Sequence, residues 1–171
     1  MARLALERGV RTGRPPAIDL VALAPALHEP GASFVTLERR GALRGCIGSL
    51  EPVEPLALSV AGNAVKAARD PRLPPVAASE LPDLEVKISV LSPLAPFPVA
   101  SEAELVEALR PGVDGLVLRD GPHGATFLPS VWASLPSPRD FVRELKRKAL
   151  LPDGHWSDAL VCWRYTVEEI V

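Results

Sequence analysis

A guanidinium and a thiol stand two positions apart, at Arg44 and Cys46, in the run Leu43-Arg44-Gly45-Cys46-Ile47-Gly48. A guanidinium beside a thiol favours the thiolate, the nucleophilic form, and lowers the thiol pKa from its free value of about 8.5. The same guanidinium can grip a carboxylate or phosphate through two parallel hydrogen bonds. Glycine within a strand has no side chain to pack, so Gly45 and Gly48 read as places where a ligand or another backbone comes close. Strand alternation assigns Leu43, Gly45 and Ile47 to a core face and Arg44, Cys46 and Gly48 to the other. The chemistry this predicts is Cys46 as nucleophile or covalent anchor and Arg44 as the holder of an anionic group. The plainer alternative makes Cys46 a small buried hydrophobe, Arg44 a salt-bridge partner and the glycines bulges.

These residues need a frame. Phe34-Val35-Thr36-Leu37, the polar turn Glu38-Arg39-Arg40-Gly41 and the motif itself predict a β-hairpin with the motif as its second strand. Pro55 is suited to the first position of a helix reaching about Arg69 and ending before Pro71. On that helix Leu56, Val60, Asn63 and Ala67 share one face, so Asn63 is a buried amide that must find partners. It either caps the backbone of a neighbouring strand or joins Arg44 and Cys46 as a ligand-binding group. Asp70-Pro71-Arg72 reads as a turn whose charged side chains brace the loop.

The rest of the chain supplies walls. Arg3 to Arg8 predicts a short helix stopped by Gly9. Alternation over Leu84 to Val90 predicts a strand with one wet face. Ser101-Glu102-Ala103-Glu104 is a capping box for a helix stopping at Pro111-Gly112. Residues 116–119 and 125–128 predict a second hairpin, with His123 at its solvent-facing tip. Ser137 opens a helix to about Leu150 that turns Phe141, Val142, Leu145 and Ala149 inward, and Arg143, Lys146, Arg147 and Lys148 outward. Ala159 to Val167 reads as one closing strand with Cys162 in the core. Separated hairpins, single strands and helices without βαβ regularity predict an α+β fold with a mainly antiparallel sheet and packed helices.

Composition removes several function classes. A length of 171 residues fits one domain, or one domain with a small lobe. The balance of 19 basic and 21 acidic residues, net −2, has no basic block suited to nucleic acid. No apolar run approaches the roughly 18 residues of a membrane-spanning helix, and the charged N-terminus lacks the apolar stretch of a secretory signal. Two cysteines in no metal or redox spacing suit a reducing cytoplasm. His28, His123 and His155 fall in loops and do not form a metal set. There is no phosphate loop, zinc-protease helix or nucleophile elbow, and nothing in the chain implies a cofactor.

The motif and its surroundings resemble the signature of the AMMECR domain family, known in bacteria and archaea as AmmeMemoRadiSam system protein A. The likeness rests on Gly31-Ala32-Ser33-Phe34-Val35-Thr36-Leu37, then the motif with Ser49-Leu50-Glu51-Pro52. It continues through Asp70-Pro71-Arg72, Ile88-Ser89-Val90-Leu91-Ser92-Pro93-Leu94, Pro111-Gly112-Val113-Asp114-Gly115, and Ala125-Thr126-Phe127-Leu128-Pro129 with Val131-Trp132. These blocks keep their order over nearly the whole chain. The resemblance implies the same α+β class, a single domain over residues 1–171 with a larger and a smaller lobe, and the motif near their junction. It implies Memo-like and radical-SAM companions but supplies no activity. The expectation is a cytoplasmic binding or adaptor module acting with those companions through a cleft at Arg44 to Gly48. The alternative is a small enzyme using Cys46 on an anionic substrate. Arg44 and Cys46 are the candidate reactive pair, and Gly45, Gly48 and Asn63 the candidate ligand-binding residues.

Overall fold

The expected hairpin forms from β1 (Ser33–Arg39) and β2 (Ala42–Gly48) in a computed structural model that describes residues 1–171. It turns on Arg40 and Gly41, at φ 53° and 78°. Successive left-handed residues suit a tight hairpin because their twist matches that of the strands. β3 (Leu84–Leu91) pairs antiparallel with the other side of β1, and β8 (Val167–Ile170) lies beyond it, giving the order β2-β1-β3-β8. The helices α1 (Ala2–Thr12) and α2 (Leu56–Ala67) cover one face. The core there holds Leu6, Val35, Leu37, Val60, Ala64 and Leu84. These elements form a compact unit, Met1–Leu91 with Glu168–Val171.

α1 runs past Gly9 and ends at Gly13, which takes the left-handed cap at φ 79°. Gly9 was expected to stop the helix and instead sits inside it. A β-carbon there would lie 2.5 Å from a methyl of Val65, so the glycine lets the two helices close.

The second unit, Ser92–Val167, contains β4 (Ala95–Pro96), β5 (Gly115–Asp120), β6 (His123–Phe127) and β7 (Val161–Tyr165) in the order β4-β7-β5-β6. Both sheets are antiparallel, and the α+β expectation holds. α3 (Glu102–Ala108) is capped by Ser101, whose hydroxyl accepts from the Glu104 amide. α4 (Pro138–Lys148) packs Phe141, Val142 and Leu145 into a core with Leu105, Leu116 and Leu118. Trp132 stacks on Phe141 at 3.8 Å.

Two expectations are corrected here. The closing strand is not continuous: it breaks at Thr166, so β7 serves one sheet and β8 the other. Lys146 is wholly buried rather than solvated. It follows Val142 by four residues, and so falls on the same helical stripe. Its ammonium donates to Glu102 Oε2 at 2.6 Å and to the carbonyls of Asp153 and His155. A buried charge needs such partners.

Candidate functional site

The register of the first hairpin decides where the motif points. Leu37 pairs with Gly45 but Glu38 pairs with Leu43, leaving Arg44 as an extra residue on β2, a β-bulge. The bulge interrupts strict alternation, so Arg44 and Cys46 do not share a face as expected. The Arg44 guanidinium ends on Glu80, which Arg39 also reaches from the helix-covered side. Its Nε donates to Glu80 Oε1 at 2.8 Å and its Nη2 to Oε2 at 2.9 Å. Nη1 and Nη2 also donate to the carbonyls of Pro74 and Pro75 at 2.7 and 3.1 Å. The hydrogen bond from Arg44, with that from the Ala77 amide, holds the Glu80 carboxyl down at about 2. Arg44 therefore clamps the segment after α2 onto the hairpin.

Cys46 lies across from Thr36, whose other neighbour in the sheet is Lys87, so the three form a row on the face opposite the helices. The thiol is half-buried, and Thr36 Oγ1 donates to its Sγ at 3.3 Å. Lys87 is held by Glu38 at 2.7 Å, which raises the lysine pKa and keeps its amine protonated. β2 is an edge strand, and edge amides need partners. At Cys46 these come from the Asp70-Pro71-Arg72 turn. The Cys46 amide donates to Asp70 Oδ2 at 3.0 Å, and its carbonyl accepts from Arg72 Nη2 at 3.1 Å. Arg72 grips Asp70 in turn, at 2.9 and 2.6 Å. Asp70 is almost completely buried, and Arg72 with the backbone amides holds its carboxyl far below the carboxylate range. The guanidinium that stays open beside Cys46 is that of Arg72, 64% exposed. The sequence marked this pair as a loop brace. What it braces, the backbone of the cysteine itself, carries no local signal.

The two glycines are close-packing positions. A β-carbon on Gly45 would stand 2.0 Å from the carbonyl oxygen of Ala67 at the end of α2. One on Gly48 would meet the Phe34 ring at 2.3 Å and the Ser33 carbonyl oxygen at 2.4 Å. The expected open approach is thus occupied by the protein's own backbone and ring. Asn63 is also placed apart from Cys46. Its amide donates to the carbonyl and hydroxyl oxygens of Ser33 at 3.0 and 3.1 Å and to Ser59 Oγ at 3.4 Å. Ser33 and Ser59 share a further hydrogen bond of 2.9 Å. This buried network ties α2 to the start of β1, the backbone-capping alternative for Asn63.

The histidines are dispersed. His28 contacts the Leu23 carbonyl, and His123 is exposed at the hairpin tip. His155 bonds Asp120 at 2.5 Å, and Ser157 donates to the same oxygen at 2.7 Å. The serine hydroxyl is spent on the carboxylate rather than on the imidazole, so the cluster is not a nucleophile–base pair. No group of three or more His, Cys, Asp or Glu side chains is arranged to hold a metal ion. No helix is long and apolar enough to cross a membrane.

A model of the AMMECR1 family matches residues 1–170. The chain belongs to the AMMECR1 family. A Methanothermobacter thermautotrophicus protein is 42% identical over 135 residues, spanning 77% of this chain and 68% of that one. A Thermococcus gammatolerans protein is 37% identical and covers 98% of this chain and 85% of its own length. The crystal structure of the uncharacterized protein PH0010 from Pyrococcus horikoshii superposes with a TM-score of 0.90 at 32% identity, over 98% of this chain and 86% of that one. That likeness takes in both four-stranded sheets.

Proposed function

We propose that this AMMECR1-family protein is a cytoplasmic binding module that works with Memo-like and radical-SAM companions through the surface around Cys46. The companions are those the AmmeMemoRadiSam name implies. The observation that carries the reading is the environment of the thiol: its side-chain partner is a hydroxyl donor, with no histidine or carboxylate in hydrogen-bond contact to take its proton. Meanwhile the backbone on either side of Sγ is fixed by Asp70 and Arg72, so the surface is rigid before any partner arrives. A small anionic ligand, or an acidic group on a partner, meets Arg72 there. Arg44 supports that surface from the opposite face.

A second reading has one observation in its favour. The Thr36 hydroxyl donates to Sγ at 3.3 Å and so orients the thiol on the open face, as a nucleophile or covalent anchor for an anionic substrate requires. Co-purification of tagged protein with the Memo-like and radical-SAM companions, followed by titration of Arg72→Ala and Cys46→Ser variants, separates the two. The module reading expects a complex weakened at least fivefold by Arg72→Ala and little changed by Cys46→Ser. Turnover by the isolated protein that Cys46→Ser abolishes and the companions do not affect would favour the enzyme.

A further inference from the structure

The second unit carries a cavity of about 610 Å³, within the range of small-molecule sites. Its walls are the segment after β4 and the start of β7. Those two strands stay paired as far as the Phe97 amide, which donates to the Cys162 carbonyl at 2.9 Å. Pro98 follows and has no N–H to continue the ladder. Beyond that rung the chain turns toward α3, and Phe97, Val99, Leu160, Val161 and Trp163 line the space that opens.

The lining holds one carboxylate. Glu104 uses Oε2 to accept from the Ala100 amide at 2.7 Å, while its Oε1 accepts no hydrogen bond from the protein. Burial pushes the Cys162 thiol up to about 11, which keeps it neutral. Arg164 lies over the Phe97 ring at 4.7 Å and is engaged with that ring. The cavity thus offers an apolar and aromatic body with a single carboxylate oxygen at one side and no lining cation. Glu104 is solvent-exposed, so an ammonium pairs with that oxygen in exchange for water, and an indole face such as that of Trp163 favours a cation as well.

We infer that this cavity is a binding site for a small apolar or aromatic molecule bearing a cationic amino group, which pairs with Glu104. The site is separate from the surface around Cys46 and does not depend on it. The test uses the full chain, labelled with ¹⁵N, and three probes of matched shape: phenethylamine, phenethyl alcohol and phenylacetate. Phenethylamine is expected to shift the amides of Val99, Ala100 and residues 160–163, and to bind at least tenfold more tightly than phenylacetate. Glu104→Gln keeps an acceptor for the Ala100 amide and loses the charge. It is expected to weaken the amine at least fivefold and leave the alcohol unchanged. Val161 is 43% exposed, so Val161→Trp is tolerated by the fold and is expected to block amine and alcohol alike. The inference is overturned if phenylacetate binds as well as the amine, if Glu104→Gln leaves amine binding intact, or if the shifts map elsewhere. It is also overturned if the same amides shift with protein concentration alone, which would make a second copy the occupant.

Discussion

Cys46 and Cys162 each sit within a strand of a four-stranded antiparallel sheet, yet they have opposite surroundings. Cys162 pairs with Leu118 and faces the core of its unit at 6% exposure. Burial alone moves its thiol up to about 11. Cys46 pairs with Thr36 on the face away from the helices, while its own strand sends Gly45 and Ile47 to the core. The side of the sheet on which the helices pack, rather than residence in a strand, decides whether a cysteine becomes a packing residue or an accessible thiol. The same contrast applies to two arginines. Arg44 is spent inside a clamp, while Arg72 braces a buried aspartate and still presents an open face.

The largest expected effect breaks this comparison most directly. Alkylation of the folded protein near pH 8, followed by peptide mass, should modify Cys46 at least a hundredfold faster than Cys162. The thiolate of a group titrating near 11 is present at only about one part in a thousand at that pH, and burial slows access further. Equal rates would erase the distinction.

The packing that leaves Cys46 on the open face depends on its glycines. Gly45→Ala must push the Ala67 carbonyl aside and should cost about 3 kcal/mol in urea unfolding, the upper part of the usual overpacking range. Gly48→Ala should cost somewhat less, about 2 kcal/mol, because the Phe34 ring can shift although the Ser33 carbonyl cannot move freely. Substitutions that impaired binding without loss of stability would restore the glycines to a ligand approach.

Glu80→Gln tests the clamp that separates Arg44 from Cys46. It should cost about 2 kcal/mol at pH 7, less than the full effect of breaking a buried pair because an amide still accepts from the arginine. The folded-state pKa of Glu80 lies below its ordinary value of 4.5, so the stabilisation it gives is complete above about 4.5 and is lost as pH falls toward 2. The gap between wild type and variant in urea midpoints should therefore narrow between those pH values. A gap that persisted unchanged at pH 2 would remove the charge from the account.

Arg72→Ala should have the smallest effect on stability, about 1 kcal/mol: it leaves the buried Asp70 carboxylate without its cation, but the guanidinium is 64% exposed and the Asp70 contacts to two backbone amides remain. Hydrogen exchange should show the Cys46 amide still protected through Asp70. Loss of that protection would make Arg72 the main support of the edge.

Much of the frame was legible because it depends on local chemistry. The tight turn at Arg40-Gly41, the serine caps at 101 and 137, and the apolar stripe of Phe141, Val142 and Leu145 each carry their own signal within a few residues. Asn63 was legible as buried from its helical face, but its partner Ser33 lies 30 positions away. Lys146 departs from its expected exposure because residue type marks lysine as solvated, whereas position on the stripe and the carbonyls of a distant loop keep it inside.

The sequence by itself determined the hairpin, the motif's place on its second strand, the α+β class and the family to which the chain belongs. Tertiary structure alone decided which motif residues stand together. The bulge at Arg44 is a mismatch in count between two strands, and no single strand contains that count. The void beside a glycine is likewise defined by whatever packs against it, and Ala67, Phe34 and Ser33 reach theirs only after folding. For the same reason the arginine read beside the cysteine in sequence became a clamp on the other face, and Arg72, 26 residues downstream, took the place next to it.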